Sequence, residues 1–94
     1  MQPEARLTRS IRLALESEFG GIWIKIHGHP SQRALVDLIG CVEGQFYALE
    51  VKREGPATEK QLAQLAQFAK AGAIVGTVHS KSEAIQLVAT GELK

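Results

Sequence analysis

The stretch Val36-Asp37-Leu38-Ile39-Gly40-Cys41-Val42-Glu43-Gly44-Gln45-Phe46-Tyr47-Ala48-Leu49-Glu50-Val51-Lys52 decides how this chain is read. Two strand-like runs flank Glu43-Gly44, a pair suited to a tight two-residue hairpin turn. With those residues as the turn, Val42 faces Gln45 and opposed residues have numbers that sum to 87, as Asp37 and Glu50 do. The two carboxylates then stand on one face of the hairpin, with Lys52 two residues further along it. An odd-length loop or a bulge would break that register. Like charges opposed in a sheet are destabilising unless a cation lies between them, and hard oxygen ligands suit Mg²⁺ or Mn²⁺. An ion held by two carboxylates can activate water and neutralise charge developing in phosphodiester cleavage, with Lys52 facing the phosphate. A structural Asp/Glu/Lys cluster at a strand edge accounts for the same three residues equally well.

Working outward, Pro3 to Phe19 carries Leu7, Ile11, Leu15 and Phe19 on one helical face and ends at Gly20-Gly21. Ile22 to His27 alternates: Ile22, Ile24 and Ile26 on one side, Trp23, Lys25 and His27 on the other, which reads as a strand. A polar loop from Gly28 to Arg33 leads to the hairpin strands, Leu35–Val42 and Gln45–Lys52. Thr58-x-x-Gln61 has the form of a capping box for a helix reaching about Ala71, with Gly72 as its stop. Ala73–His79 predicts another strand, and Ser80-x-x-Glu83 caps a last helix with Ile85 and Val88 turned inward. The order is αβββαβα. A hairpin followed by a helical crossover implies a mixed sheet in an α/β sandwich.

Ninety-four residues, 45% of them hydrophobic and 22% charged, predict one folded domain over 1–94 and exclude a disordered or collagen-like chain. The net charge of +1 means that any basic surface must be local. One cysteine, Cys41, permits no internal disulfide and belongs to no zinc-ligand spacing, which suggests a reducing cytoplasm. No apolar run is long enough to span a bilayer, and the charged first residues do not resemble a signal peptide, so no membrane association is expected. No phosphate-binding glycine fingerprint or haem-attachment motif is present.

Taken together, Asp37-Leu38-Ile39, Glu43-Gly44-Gln45-Phe46, Leu49-Glu50-Val51-Lys52, Thr58-x-x-Gln61 and Ala71-Gly72-Ala73 resemble the VRR-Nuc family of the PD-(D/E)XK nuclease superfamily, in its stand-alone, single-domain form. The resemblance covers most of the chain and implies a restriction-endonuclease-like mixed β-sheet flanked by helices. It implies a Mg²⁺- or Mn²⁺-dependent endodeoxyribonuclease acting on branched DNA such as Holliday junctions, as a homodimer, in a bacterial or phage-infected cell. Asp37 and Glu50 would be metal ligands with the Val51 carbonyl, Lys52 the catalytic lysine, and Gln61 an accessory residue. A glutamate from the first helix belongs to the same implied site. Glu4 and Glu18 both fall on the apolar side of that helix, and the family position near the helix start favours Glu4. The family's Gly-x-Pro-Asp is here Ala34-Leu35-Val36-Asp37, which changes backbone-shaping residues but no side-chain ligand. The alternatives are a general or restriction-like DNA-processing nuclease and a DNA-binding module that keeps the fold without cleavage.

Several of these residues have simpler readings. Glu4 is favourable at a helix N-terminus whatever its function, and the capping box explains Gln61 without catalysis. Arg6, Arg9 and Arg12 form a basic stripe on the first helix that suits phosphates but equally suits solvent. Lys25, Arg33, Arg53 and Lys60 flank the site and could touch DNA backbone without reading bases. His27 and His29 frame the polar loop as ordinary surface residues, and Cys41 fits a buried small hydrophobe. Trp23 shares its face with Lys25, where it could serve a subunit contact, a stacked base or ordinary core packing.

Overall fold

The computed structural model describes residues 3–27 and 36–93. Seven elements follow one another: α1 (Pro3–Phe19), β1 (Ile22–Lys25), β2 (Leu38–Val42), β3 (Gln45–Val51), α2 (Glu59–Lys70), β4 (Ile74–Val78) and α3 (Lys81–Thr90). They have the order read from the sequence, αβββαβα. The strands lie side by side in chain order as one mixed sheet. β1–β2 and β2–β3 are antiparallel, and β3–β4 is parallel, with α2 as the crossover that parallel neighbours require.

β3 shows why the layers form. It lies between two other strands, and its side chains are buried on both faces of the sheet from Tyr47 onward. Tyr47, Leu49 and Val51 point into a cluster with Ile11 and Leu15 of α1 and Ala84, Leu87 and Val88 of α3. On the opposite face Phe46 and Ala48 meet Val36, Val75 and the Leu65 and Phe68 side chains of α2, and the Phe46 and Phe68 rings stack with centroids 6.1 Å apart. Each fully buried Leu or Val contributes about 1.5–3 kcal/mol relative to exposure. The sheet is thus the middle of three layers, and consecutive β3 residues answer to different helices.

The hairpin obeys the predicted arithmetic: Val42 pairs with Gln45, Cys41 with Phe46, and so on to Leu38 with Leu49. Glu43 (φ 49°) and Gly44 (φ 85°) are both left-handed, the conformation that a two-residue turn between right-twisting strands demands. The expected next pair, Asp37 with Glu50, does not form. The Asp37 N–H donates instead to the Leu49 carbonyl at 3.2 Å, a residue already partnered by Leu38, so the ladder bulges there.

β1 settles the question of which face is interior. Trp23 is in the core, whereas Ile22 and Ile24 are 66% and 50% exposed. The indole N–H donates to the Gly20 carbonyl at 2.9 Å, which removes the polar cost of burying it. The ring lies across Gly40, its cross-strand partner, and reaches Tyr47 on the next strand with ring centroids 5.5 Å apart. Only a residue without a side chain leaves that room, because a Cβ at position 40 would run into the Trp23 ring. The exposed, stacking and subunit-contact roles open to Trp23 are therefore excluded by its burial. Cys41 is half-buried rather than buried.

Gly40→Ala is expected to lower the free energy of unfolding by about 1–3 kcal/mol through overpacking. Urea denaturation followed by tryptophan emission checks this. An unchanged midpoint would mean that the indole does not rest on Gly40.

Candidate functional site

The bulge at Asp37 creates the site. Freed from the ladder, the Asp37 side chain takes over the backbone's role: its Oδ2 accepts the Val51 N–H at 2.8 Å. One carboxylate oxygen is thereby fixed to the end of β3 at a residue adjacent to Glu50. The Asp37 carbonyl also accepts the Ile26 N–H at 2.9 Å, which ties the chain just beyond β1 to the same point.

Glu50 points to the α2 face of the sheet and is only 4% exposed. Its Oε1 accepts a hydrogen bond from Gln61 Nε2 at 3.0 Å. The other end of the same amide completes the predicted capping box, with Gln61 Oε1 accepting the Thr58 N–H at 2.8 Å and Thr58 Oγ1 accepting the Gln61 N–H at 3.2 Å. Capping and contact with the site are therefore not alternatives. Because the oxygen is committed to Thr58, the nitrogen must face Glu50.

Burial pushes the Glu50 pKa up to about 8; the hydrogen bond to Asp37 and the negative charge of Asp37 push the same way. Lys52 opposes the shift, and Glu4 adds to it. Four charged groups expected from the sequence thus converge, although Asp37 and Glu50 do so through a bulge and not as a ladder pair. Glu4 itself is exposed at the start of α1, and its charge reaches Glu50 without the buried partner its position on the helix suggested. Glu18 is exposed near the other end of α1 and does not figure among the groups acting on Glu50.

Among the described residues no cluster of three or more His, Cys, Asp or Glu side chains is gathered for a metal. The donor set is a pair, Asp37 and Glu50, with the Val51 carbonyl next in the chain. Such a set fits Mg²⁺ or Mn²⁺, which bind through one or two carboxylates and keep several waters, better than an ion needing a full protein cage. The crowding that holds a proton on Glu50 is what a divalent cation would relieve.

The basic residues separate into two groups. Arg9, Arg12 and Lys25 line one hollow of about 480 Å³ between α1 and β1, with Ala5, Trp23, Ile24 and His27 completing its wall. Arg12 is partly neutralised by Glu16 at 3.0 Å. Arg6 lies along the next turn beside Ser10 and Leu13. Arg53 and Lys60 are exposed, the first in the loop that follows Lys52 and the second in the first turn of α2. Arg33, His29 and Ala34 lie outside the described residues. Two features had no reading from sequence. Thr8 is buried with its hydroxyl donating to the Glu4 carbonyl at 2.9 Å, one turn from that glutamate. His79 is bound on both sides by acceptors, and the only sequence signal near it was the Ser80-x-x-Glu83 cap.

The Glu50 shift has a defined sign. Its folded pKa lies above its unfolded value of 4.5, so the folded state holds the extra proton between about pH 4.5 and 8 and loses stability as pH rises through that window. Glu50→Gln is expected to match the parent near pH 5 and to exceed it at pH 8.5 by on the order of 2 kcal/mol without divalent ions. Urea unfolding at the two pH values checks it, and an identical difference at both would show that Glu50 is ionised throughout.

No protein-family model matches the chain, and no curated protein does. A solved structure described as a VRR_NUC domain superposes with a TM-score of 0.75 at 24% identity, covering 96% of this chain and 98% of that one. The alignment runs over nearly all of both chains. The chain has the fold of a VRR_NUC domain.

Proposed function

We propose that this chain is a Mg²⁺- or Mn²⁺-dependent DNA endonuclease that hydrolyses phosphodiester bonds in branched DNA. One observation carries the reading: a buried glutamate on a central strand is crowded by a second carboxylate, beside a lysine, with an amide fixed upon it. Burial and a neighbouring carboxylate that together shift a pKa this far are the arrangement characteristic of functional sites.

Asp37, Glu50 and the Val51 carbonyl would hold the ion, which supplies charge neutralisation at the scissile phosphate and lowers the pKa of water. The chain's own residues do the aiming. The Val51 N–H fixes one Asp37 oxygen, and Gln61 fixes one Glu50 oxygen, so neither carboxylate is free to rotate away. Glu50 gives up its proton when a cation is taken up, so affinity for the ion should rise with pH toward about 8. Lys52, on the face of the sheet that carries Glu50, balances negative charge on the phosphate as it is attacked.

The hollow lined by Arg9, Arg12 and Lys25 begins beside Glu4 and the Lys25 end of β1, which is the end of the sheet that carries Asp37. It suits the sugar-phosphate backbone leading to the site and offers no groups arranged for reading bases. A single domain of this size has little surface for a junction, so two copies acting on opposite strands, a homodimer, complete the reading.

Cleavage of a labelled four-way junction beside linear duplex, with Mg²⁺, Mn²⁺ or EDTA, tests it. Metal-dependent paired nicks in the junction are expected, falling at least a hundredfold in Asp37→Ala, Glu50→Ala and Lys52→Ala with the fold retained. Equal cutting of both substrates would replace the branched substrate with a general processing nuclease. Tight binding without cutting under any metal would leave a DNA-binding module.

Replacing Arg9 and Lys25 by Ala together is expected to weaken DNA binding at low salt and to reduce the slope of log affinity against log salt by about two. Binding isotherms at several salt concentrations give the slope, and an unchanged value would remove the hollow from the DNA path.

A further inference from the structure

Between Lys52 and Thr58 the chain crosses from β3 to α2 through Arg53-Glu54-Gly55-Pro56-Ala57, of which the first four are exposed. Both ends of this segment enter the site: Lys52 at one, and Gln61 through the Thr58 cap at the other. Among the described residues a single hydrogen bond ties residues 53–57 to the rest of the protein, from the His79 ring to the Gly55 carbonyl, Nε2 to O, at 2.6 Å. Ala57 adds a buried methyl group near the far end.

His79 follows β4 directly, and its other ring nitrogen, Nδ1, lies 2.9 Å from Glu83 Oε1. The same carboxylate oxygen accepts the His79 backbone N–H at 2.7 Å. The cap of α3 therefore differs from the pattern read in the sequence. Ser80 Oγ accepts the Glu83 N–H at 3.1 Å as expected, but Glu83 reaches back to His79 and not to the Ser80 N–H. Glu83 is consequently held in place by the helix start, and it holds the imidazole in turn.

Both partners of the ring accept only: a backbone carbonyl and a carboxylate. A neutral imidazole has one N–H, so one of the two contacts would set lone pair against lone pair. The imidazolium satisfies both. We propose that His79, as an imidazolium, is a positioning residue that clamps the segment joining Lys52 to Gln61. Its effect on chemistry rests on the nuclease reading above; the clamp does not.

The surrounding groups agree. The bonds to Gly55 and Glu83 raise the His79 pKa, and the bonds to His79 lower that of Glu83. From α3 the ring faces Glu83; from the segment it faces the Gly55 carbonyl, with Arg53 and Glu54 adjacent in the chain, and Lys81 follows two residues beyond His79. The clamp is complete between the depressed pKa of Glu83 and the raised pKa of His79. It is lost as pH rises through the latter or falls through the former.

Nuclear magnetic resonance on the whole chain tests this. Both His79 ring nitrogens are expected to be protonated at pH 7, losing a proton at higher pH than an unperturbed imidazole does. The backbone order parameters of Glu54 and Gly55 should fall in the same step. Glu83→Gln should move the step to lower pH. His79→Ala should leave the segment mobile at every pH with the strands intact, and His79→Gln, which can still donate to Gly55, should restore order without any step. A neutral ring at pH 7, or a segment indifferent to the ring's titration, overturns the proposal. In the cleavage assay His79→Ala should lower kcat several-fold with little change in KM, and His79→Gln should recover it while abolishing a fall in rate at high pH. No cleavage by the parent with ring and segment titrating together sinks the nuclease reading alone; cleavage with an uncoupled segment sinks the clamp alone.

Discussion

A carboxylate at the end of a strand covered on both faces cannot be left to itself. Glu50 is nearly sealed from solvent on the strand that both layers of helices need for their packing. Ionised, it would carry an unpaid solvation debt; protonated, it must find somewhere to place its hydrogen. The local structure answers on three sides, with Asp37 accepting a hydrogen bond from the protonated Glu50 carboxyl, Gln61 donating to its Oε1, and Lys52 tempering the field. The bulge that ends the β2–β3 ladder is part of that answer, since it turns Asp37 toward the end of β3 and replaces a lost backbone bond with a side-chain one.

The placement of α2 follows from the same constraint. Its first turn is closed by an amide whose oxygen serves the helix and whose nitrogen serves Glu50. Helix start and carboxylate are thereby one structural unit, and Leu65 and Phe68, one and two turns further on, seat the helix against Ala48 and Phe46. A residue with two obligations leaves little freedom: Glu at position 61 would keep the cap but confront Glu50 with a third carboxylate, whereas a shorter side chain would lose both contacts.

Much of this was legible in the residues. Local signals are strong where backbone chemistry is strict: the Glu43-Gly44 turn fixed the hairpin register, and Thr58-x-x-Gln61 fixed the start of α2. The Asp37–Glu50 juxtaposition followed from that register, yet the bulge that brings it about did not, because two donors sharing the Leu49 carbonyl leave no mark in the pattern of apolar residues. β1 misleads for another reason. Alternation does not say which face is interior: α2 covers β3 and β4, so Ile22 and Ile24 stay open while Ile26, just beyond β1, packs against the Val36, Ala48 and Leu65 cluster and Trp23 packs beneath α1. His79 was silent in the sequence because both of its acceptors, a carbonyl far along the chain and a carboxylate already credited to a helix cap, become its partners only in three dimensions.

Trp23 is the chain's sole tryptophan, and its position makes the protein its own optical gauge. The indole is buried against Tyr47, anchored to Gly20, and forms part of the wall of the hollow lined by Arg9, Arg12 and Lys25. A phosphate entering that hollow would alter the electric field across the only long-wavelength emitter in the molecule, whose ring is seated over Gly40. Occupancy of the surface beside the carboxylates can thus be followed in solution by light, with no label attached.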